Sequence, residues 1–170
     1  MSDPSDPIVR RILAVQRLEA LGAKVFVAQA DVANVVEMQA AKAAGAKFGV
    51  SPGATQALIE ACAEAELPLL PGAATATEIM TLLELGFTVQ KFFPAEQAGG
   101  AAYLKSIGSP IPQVKFCPTG GISLKNARDY LGLPNILCVG GSWVCPKDKM
   151  AAGDWAGIEA LAREAADLRM

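Results

Sequence analysis

Short β-type apolar runs, each closed by a turn and followed by a helical stretch, recur along the chain and limit its folds more than any other feature. The runs are 24–30 (KVFVAQA), 47–50 (KFGV), 67–70 (LPLL), 88–96 around Lys91 (TVQKFFPAE), 114–117 (VKFC) and 136–139 (ILCV). Helical patterns lie between them at about 8–21, 32–44, 54–65, 97–107, 123–131 and 154–168. A further helix leads to the Lys91 run, opened by Thr75 and Glu78 at capping-box spacing. Six strands alternating with helices predict an α/β fold with an all-parallel sheet, because a right-handed helical crossover is the short way to join parallel strands. The expected form is a partial (β/α) barrel-like arrangement within a single domain, 1–170; an open doubly wound Rossmann-like sheet is the alternative. Either way the outermost strands keep unpaired N–H and C=O groups, which invite homo-oligomerisation or strand exchange.

Composition narrows the chemistry. The chain has 170 residues, a formal charge of −2 and no histidine. Without imidazole there is no Ser-His-Asp or Cys-His nucleophile system and no HExxH zinc site. No Lys/Arg run marks a nucleic-acid or anionic-membrane partner, and no apolar run approaches the length of a membrane span. With no signal-peptide pattern at the N-terminus, a cytoplasmic address is expected. Cys62, Cys117, Cys138 and Cys145 show no CxxC spacing and read as reduced, structural residues. No metal site is expected from such scattered ligands.

Lys91 is the residue that stands out. In the run Val89-Gln90-Lys91-Phe92-Phe93, strand alternation places Val89, Lys91 and Phe93 on one face and Gln90 and Phe92 on the other. A lysine among apolar neighbours is disfavoured as the ammonium, and a free amine can attack a carbonyl carbon. The plainer alternative is a strand-end lysine that snorkels to water or pairs with Glu96. Glycines gather just after the strands, at Gly53, Gly72, Gly120-Gly121 and Gly140-Gly141. In parallel α/β folds function sits at these carboxyl ends. The two Gly-Gly turns after the last two runs, with the hydroxyl of Ser142, match the place where such folds hold phosphate on backbone N–H groups.

From about Gly45 to Leu168, the runs GAKFGVSPG, LPLLPG, KFFPAE, FCPTGGIS and CVGGSW resemble the 2-keto-3-deoxy-6-phosphogluconate aldolases, class I aldolases on a (β/α)8 barrel. The resemblance implies that Lys91 forms the imine with pyruvate or the keto acid. It also implies that the backbones of Gly120, Gly121, Gly140 and Gly141, with Ser142, bind the substrate phosphate, and that Thr119 and Phe93 line the pocket. No cofactor is implied.

The first part of the chain departs from that pattern. The family's first two strands and its third-strand Gly-Ala-Gly-Thr motif are not found, and with them go a glutamate, an arginine and a threonine expected to move protons and hold the carboxylate. Residues about 8–42, including Gln16 to Val25 and Val27 to Ala33, resemble instead a helix-strand-helix segment of short-chain reductases, particularly polyketide ketoreductases, where the equivalent of Asp31-Val32 borders the adenine pocket of NADP. No GxGxxG follows the first strand, so Asp31 reads as a cap or turn residue and nucleotide binding is not carried over. Together the two resemblances predict an engineered chimera, reductase-like over 1–42 and aldolase-derived over 43–170. Its activity would be absent or severely reduced, with at most phosphate or sulfate binding retained. The alternative is a Schiff-base aldolase acting on pyruvate or 2-keto-3-deoxy-6-phosphogluconate through Lys91.

Overall fold

A computed structural model describes residues 32–43 and 45–169. The chain forms two compact units, one ending at Gly72 and one beginning at Ala73. The predicted helix at 8–21, the strand at 24–30 and Asp31 lie outside the described residues.

In the first unit, α1 (Val35–Ala43) and α2 (Gln56–Glu64) accompany two short parallel strands, β1 (Gly49–Val50) and β2 (Leu69–Leu70). The register pairs Gly49 with Leu69 and Val50 with Leu70. Val32 joins the same edge through its N–H to the Val50 carbonyl, at 2.8 Å. Helical spacing decides what is buried: Met38 and Ala41 lie three apart on α1 and Leu58 and Cys62 four apart on α2, and with Val32 and Leu67 they form one apolar cluster. Thr55 starts α2 by accepting the Leu58 N–H.

The second unit carries the longer ladder. β3 (Gly72–Ala73) falls at the boundary of the two units, and the second unit's strands β4 (Val89–Phe92) and β5 (Lys115–Pro118) follow it in the sheet order β3-β4-β5. β4 and β5 run parallel over four residue pairs, from Val89 opposite Lys115 to Phe92 opposite Pro118. The helix α3 (Ala76–Glu84) opens with the expected capping box, the Thr75 hydroxyl accepting from the Glu78 N–H while the Glu78 carboxylate accepts from the Thr75 N–H. Its apolar stripe, Ile79 and Leu82, is buried. Further on come α4 (Gly100–Ile107), α5 (Ala127–Leu131), α6 (Lys147–Ala152) and α7 (Trp155–Ala166). Gln90 and Phe92 are fully buried. Phe92 stacks on Tyr103 of α4 with ring centroids 5.3 Å apart and meets Phe116 of β5 edge-on at 6.4 Å. Gln90 donates its amide to the carbonyls of Ile79 (3.0 Å) and Phe87 (2.9 Å), tying β4 to the end of α3.

The α/β class with parallel pairing is as expected, but the strand inventory is not. Among the described residues the strands form a two-stranded and a three-stranded set, with neither a single six-stranded sheet nor a closed barrel. The chain does not turn at Pro71-Gly72 but continues extended into β3. The expected strand 136–139 is reduced to two isolated parallel bridges, Phe116 with Ile136 and Thr119 with Gly140. The cause is Pro118. Phe116 donates to Asn135 and accepts from Leu137, and Pro118 accepts from Gly140, but Pro118 has no N–H to offer back to this segment. The register also slips: four residues from 136 to 140 span three from 116 to 119, which is the signature of a bulge. No described helix is long and apolar enough to cross a membrane.

Candidate active site around Lys91

β4 sorts its side chains by alternation. Gln90 and Phe92 take the face that packs on α3 and α4, so Lys91 takes the other. It is nonetheless only 4% exposed, a buried lysine in the middle of a parallel ladder. Its register partner is Cys117 on β5, and its Nζ lies 5.0 Å from the centroid of the Phe93 ring, a cation–π distance. The neighbouring strand position therefore matters for charge. The Cys117 thiol is pushed well above the ordinary thiol range, first by its hydrogen bond with Cys138 and then by burial, with the charge of Lys91 pulling weakly the other way. Cys117 thus stays protonated and presents no anion beside Lys91. None of the four cysteines forms a disulfide.

Beyond Phe92 the two strand ends remain joined. Thr119 donates its N–H to the Phe92 carbonyl (2.9 Å), Ala95 to Thr119 (2.8 Å) and Glu96 to Gly120 (3.1 Å). The turn that follows β5 requires glycine twice, Gly120 at φ +99° and Gly121 at φ +77°, both left-handed. Space requires it as well: a Cβ on Gly121 would stand 2.7 Å from Glu96 Cγ, and one on Gly120 would stand 3.2 Å from the Phe93 ring. Gly140 pairs with Thr119 and donates to Pro118, and a Cβ there would meet the Thr119 methyl at 2.5 Å. Gly141 and Ser142 continue directly into a short 3-10 turn, Ser142–Val144.

The structure therefore sets Lys91 against Phe93 and Phe93 against Gly120, with Thr119 and Gly121 flanking Gly120 in the chain, Gly140 attached through Thr119, and Gly141 and Ser142 next in the chain. Two buried polar atoms here lack a partner among the described residues, the Thr119 hydroxyl and the Trp143 indole N–H. Among the described residues no group of three or more Cys, Asp or Glu side chains is placed to hold a metal ion.

Sequence reasoning missed one feature of this neighbourhood. The Glu96 carboxylate, read as a candidate partner for Lys91, accepts a hydrogen bond from the hydroxyl of Tyr130 on α5. Burial, and then this hydrogen bond, push the Tyr130 phenol above its ordinary range. The two residues are 34 positions apart, so no local spacing could have shown the pair.

The chain is similar to known proteins over nearly its whole length. The profile of the KDPG and KHG aldolase family matches residues 10–161. The 2-dehydro-3-deoxy-phosphogluconate aldolase of Dickeya dadantii is 45% identical over 160 residues, covering 92% of this chain and 75% of that protein. Among solved structures, KDPG aldolase from Legionella pneumophila, with pyruvate captured as a covalent carbinolamine intermediate, superposes with a TM-score of 0.81 at 40% identity, covering 94% of this chain and 76% of that one. The 2-keto-3-deoxy-6-phosphogluconate aldolase of Zymomonas mobilis with 3-phosphoglycerate gives a TM-score of 0.75 at 41% identity, covering 95% and 84%.

These matches overturn the chimera. They run through residues 10–42, the segment assigned to a reductase, as well as through Lys91 and the glycine turns. An amphipathic helix followed by an apolar strand is common to both folds, and about forty residues of that pattern do not discriminate between them. With a single family along the chain, the expectation of an inactive or crippled fusion, keeping only phosphate or sulfate binding, falls as well.

Proposed function

The chain belongs to the KDPG and KHG aldolase family, and on that premise we propose that it is a Schiff-base lyase whose Lys91 cleaves 2-keto-3-deoxy-6-phosphogluconate and, in reverse, assembles it. The Lys91 amine attacks the C2 ketone carbon, and the carbinolamine loses water to give an iminium. The C3–C4 bond then breaks as the C4 hydroxyl gives up its proton to water, and the bonding pair flows into the iminium to leave an enamine. The three-carbon aldehyde departs with the phosphate. The enamine takes a proton at C3, and water hydrolyses the imine to release pyruvate and restore the amine.

In this scheme the turns Gly120-Gly121 and Gly140-Gly141, with Ser142, receive the phosphate of the substrate through backbone N–H groups and a hydroxyl. Thr119 and Phe93 line the space between phosphate and amine. The observation that carries the reading is Lys91 itself, a buried lysine beside a protonated thiol and the Phe93 ring, which in turn lies against Gly120. The partnerless Thr119 hydroxyl supports it, as a polar atom with bonding capacity left for a ligand. The test is a coupled assay of pyruvate release from 2-keto-3-deoxy-6-phosphogluconate. Release by the wild-type protein and none by Lys91→Ala is expected; equal rates from the two, or no release from folded wild-type protein, would remove the proposal.

A further inference from the structure

We propose that Glu96 and Tyr130 are positioning residues, a carboxylate–phenol strut that holds the Gly120-Gly121 turn in the shape that receives the substrate phosphate. The inference rests on the aldolase reading for the identity of the ligand, but its observations are independent of Lys91.

Three contacts define the strut. The Glu96 N–H is bonded to the Gly120 carbonyl at 3.1 Å, so the backbone of Glu96 is already fixed to the turn. Its side chain then crosses directly over Gly121, where a Cβ would stand 2.7 Å from Glu96 Cγ and 2.8 Å from Glu96 Cβ. At its far end the carboxylate accepts from Tyr130, a side chain only 1% exposed and set in α5. Gly100, at the start of α4, closes the pair from another side: a Cβ there would approach the Tyr130 hydroxyl to 3.4 Å and the Glu96 carboxylate to 3.5 Å.

The turn is held from its other end too. The Asn126 amide donates to the Gly121 carbonyl at 3.2 Å while its oxygen accepts from the Ser123 N–H at 2.8 Å. Both glycine carbonyls are thus engaged, and the N–H groups of Gly120 and Gly121 donate to no described group. A carboxylate next to a turn that takes an anion is unfavourable by charge alone. Its contribution there must therefore be geometric: a charge-assisted hydrogen bond to a buried phenol is strong and directional, and it keeps the Glu96 chain lying over Gly121.

The experiment uses the full chain as wild type, Tyr130→Phe, Glu96→Ala and Glu96→Gln. Steady-state kinetics with 2-keto-3-deoxy-6-phosphogluconate would be measured beside the rate of borohydride trapping with pyruvate, which bears no phosphate. Loss of the strut should raise KM about tenfold in Tyr130→Phe and Glu96→Ala, with kcat and the trapping rate within about twofold of wild type. Glu96→Gln should recover most of the loss, because its amide oxygen still accepts from the phenol. An unchanged KM, a trapping rate that falls in step with KM, or a Glu96→Gln variant as impaired as Glu96→Ala would overturn the strut. Thermal stabilisation by inorganic phosphate, read on the same proteins, separates the two failures. Wild-type protein that traps no pyruvate sinks the aldolase reading, whereas phosphate stabilisation that is equal in wild type and Tyr130→Phe sinks the strut alone.

Discussion

The β1–β2 pair and the β4–β5 ladder are built from the same strand, turn and helix grammar, yet they bury different things. Around β1 and β2 the buried side chains are apolar apart from Ser51, whose hydroxyl closes locally on the Gly53 carbonyl. In the unit of β4 and β5, Gln90, Lys91 and Asn135 are buried. Two of these have evident structural tasks: Gln90 binds carbonyls at the end of α3, and Asn135 donates to the Leu104 carbonyl of α4 at 2.8 Å. Lys91 lies on the opposite face of β4 from Gln90 and Phe92, with its Nζ 5.0 Å from the centroid of the Phe93 ring. A buried polar side chain alone does not mark a reactive site, since most are absorbed by scaffold hydrogen bonds. The discriminating feature is the face of the strand it occupies.

The sharpest way to break this comparison is Lys91→Met. It should abolish pyruvate release while leaving the thermal midpoint unchanged or raised, because an apolar side chain of similar length removes the cost of burying an amine. A stability loss comparable to a core truncation would show instead that Lys91 is a scaffold residue like Gln90. Core truncations give the next largest effects on folding. Phe92→Ala should cost about 3–5 kcal/mol and Leu58→Ala about 2–5 kcal/mol in urea unfolding. Phe92→Ala should also slow trapping at Lys91, since its side chain seats the opposite face of the same strand; an unaltered trapping rate would separate the two faces of β4.

Smaller effects compare the two helix starts. Thr75 belongs to a complete capping box, whereas Thr55 makes one hydrogen bond of 3.3 Å. Thr75→Ala should therefore cost about 1–2 kcal/mol and Thr55→Ala about 0.5–1 kcal/mol by chemical denaturation. The reverse order would show that packing outweighs capping at these ends. The smallest effect is a pH dependence. The Glu78 carboxyl is held below its usual range, first by the Ala74 N–H, with burial opposing and the bonds with Thr75 adding to the lowering. A lowered folded value stabilises above the ordinary carboxylate range and loses that stabilisation as pH falls through the lowered value. Wild-type protein should therefore lose stability below about pH 4 more steeply than Glu78→Gln. Parallel acid limbs would remove Glu78 from the account.

Local chemistry was legible wherever one residue's neighbours in the chain decide the outcome. The Thr75–Glu78 box, the Lys91 face of its strand and the glycine turn that follows the Phe116 strand could all be read from spacing and residue type. Features that depend on a partner far along the chain could not. The strand at 136–139 has the right composition but meets Pro118, which cannot complete its ladder. The hydrogen bond from Tyr130 to Glu96 joins residues 34 positions apart, which proximity in the chain does not reveal. The reductase assignment failed for a related reason. A helix and an apolar strand specify a βα unit, and only matching along nearly the whole chain specifies which fold uses it.

Borohydride trapping with pyruvate, read by intact mass and peptide mapping beside Lys91→Ala, tests the central claim most directly. One covalent adduct, confined to Lys91 and absent from the variant, is expected. No adduct on folded wild-type protein, or an adduct on another lysine that persists in Lys91→Ala, would contradict it.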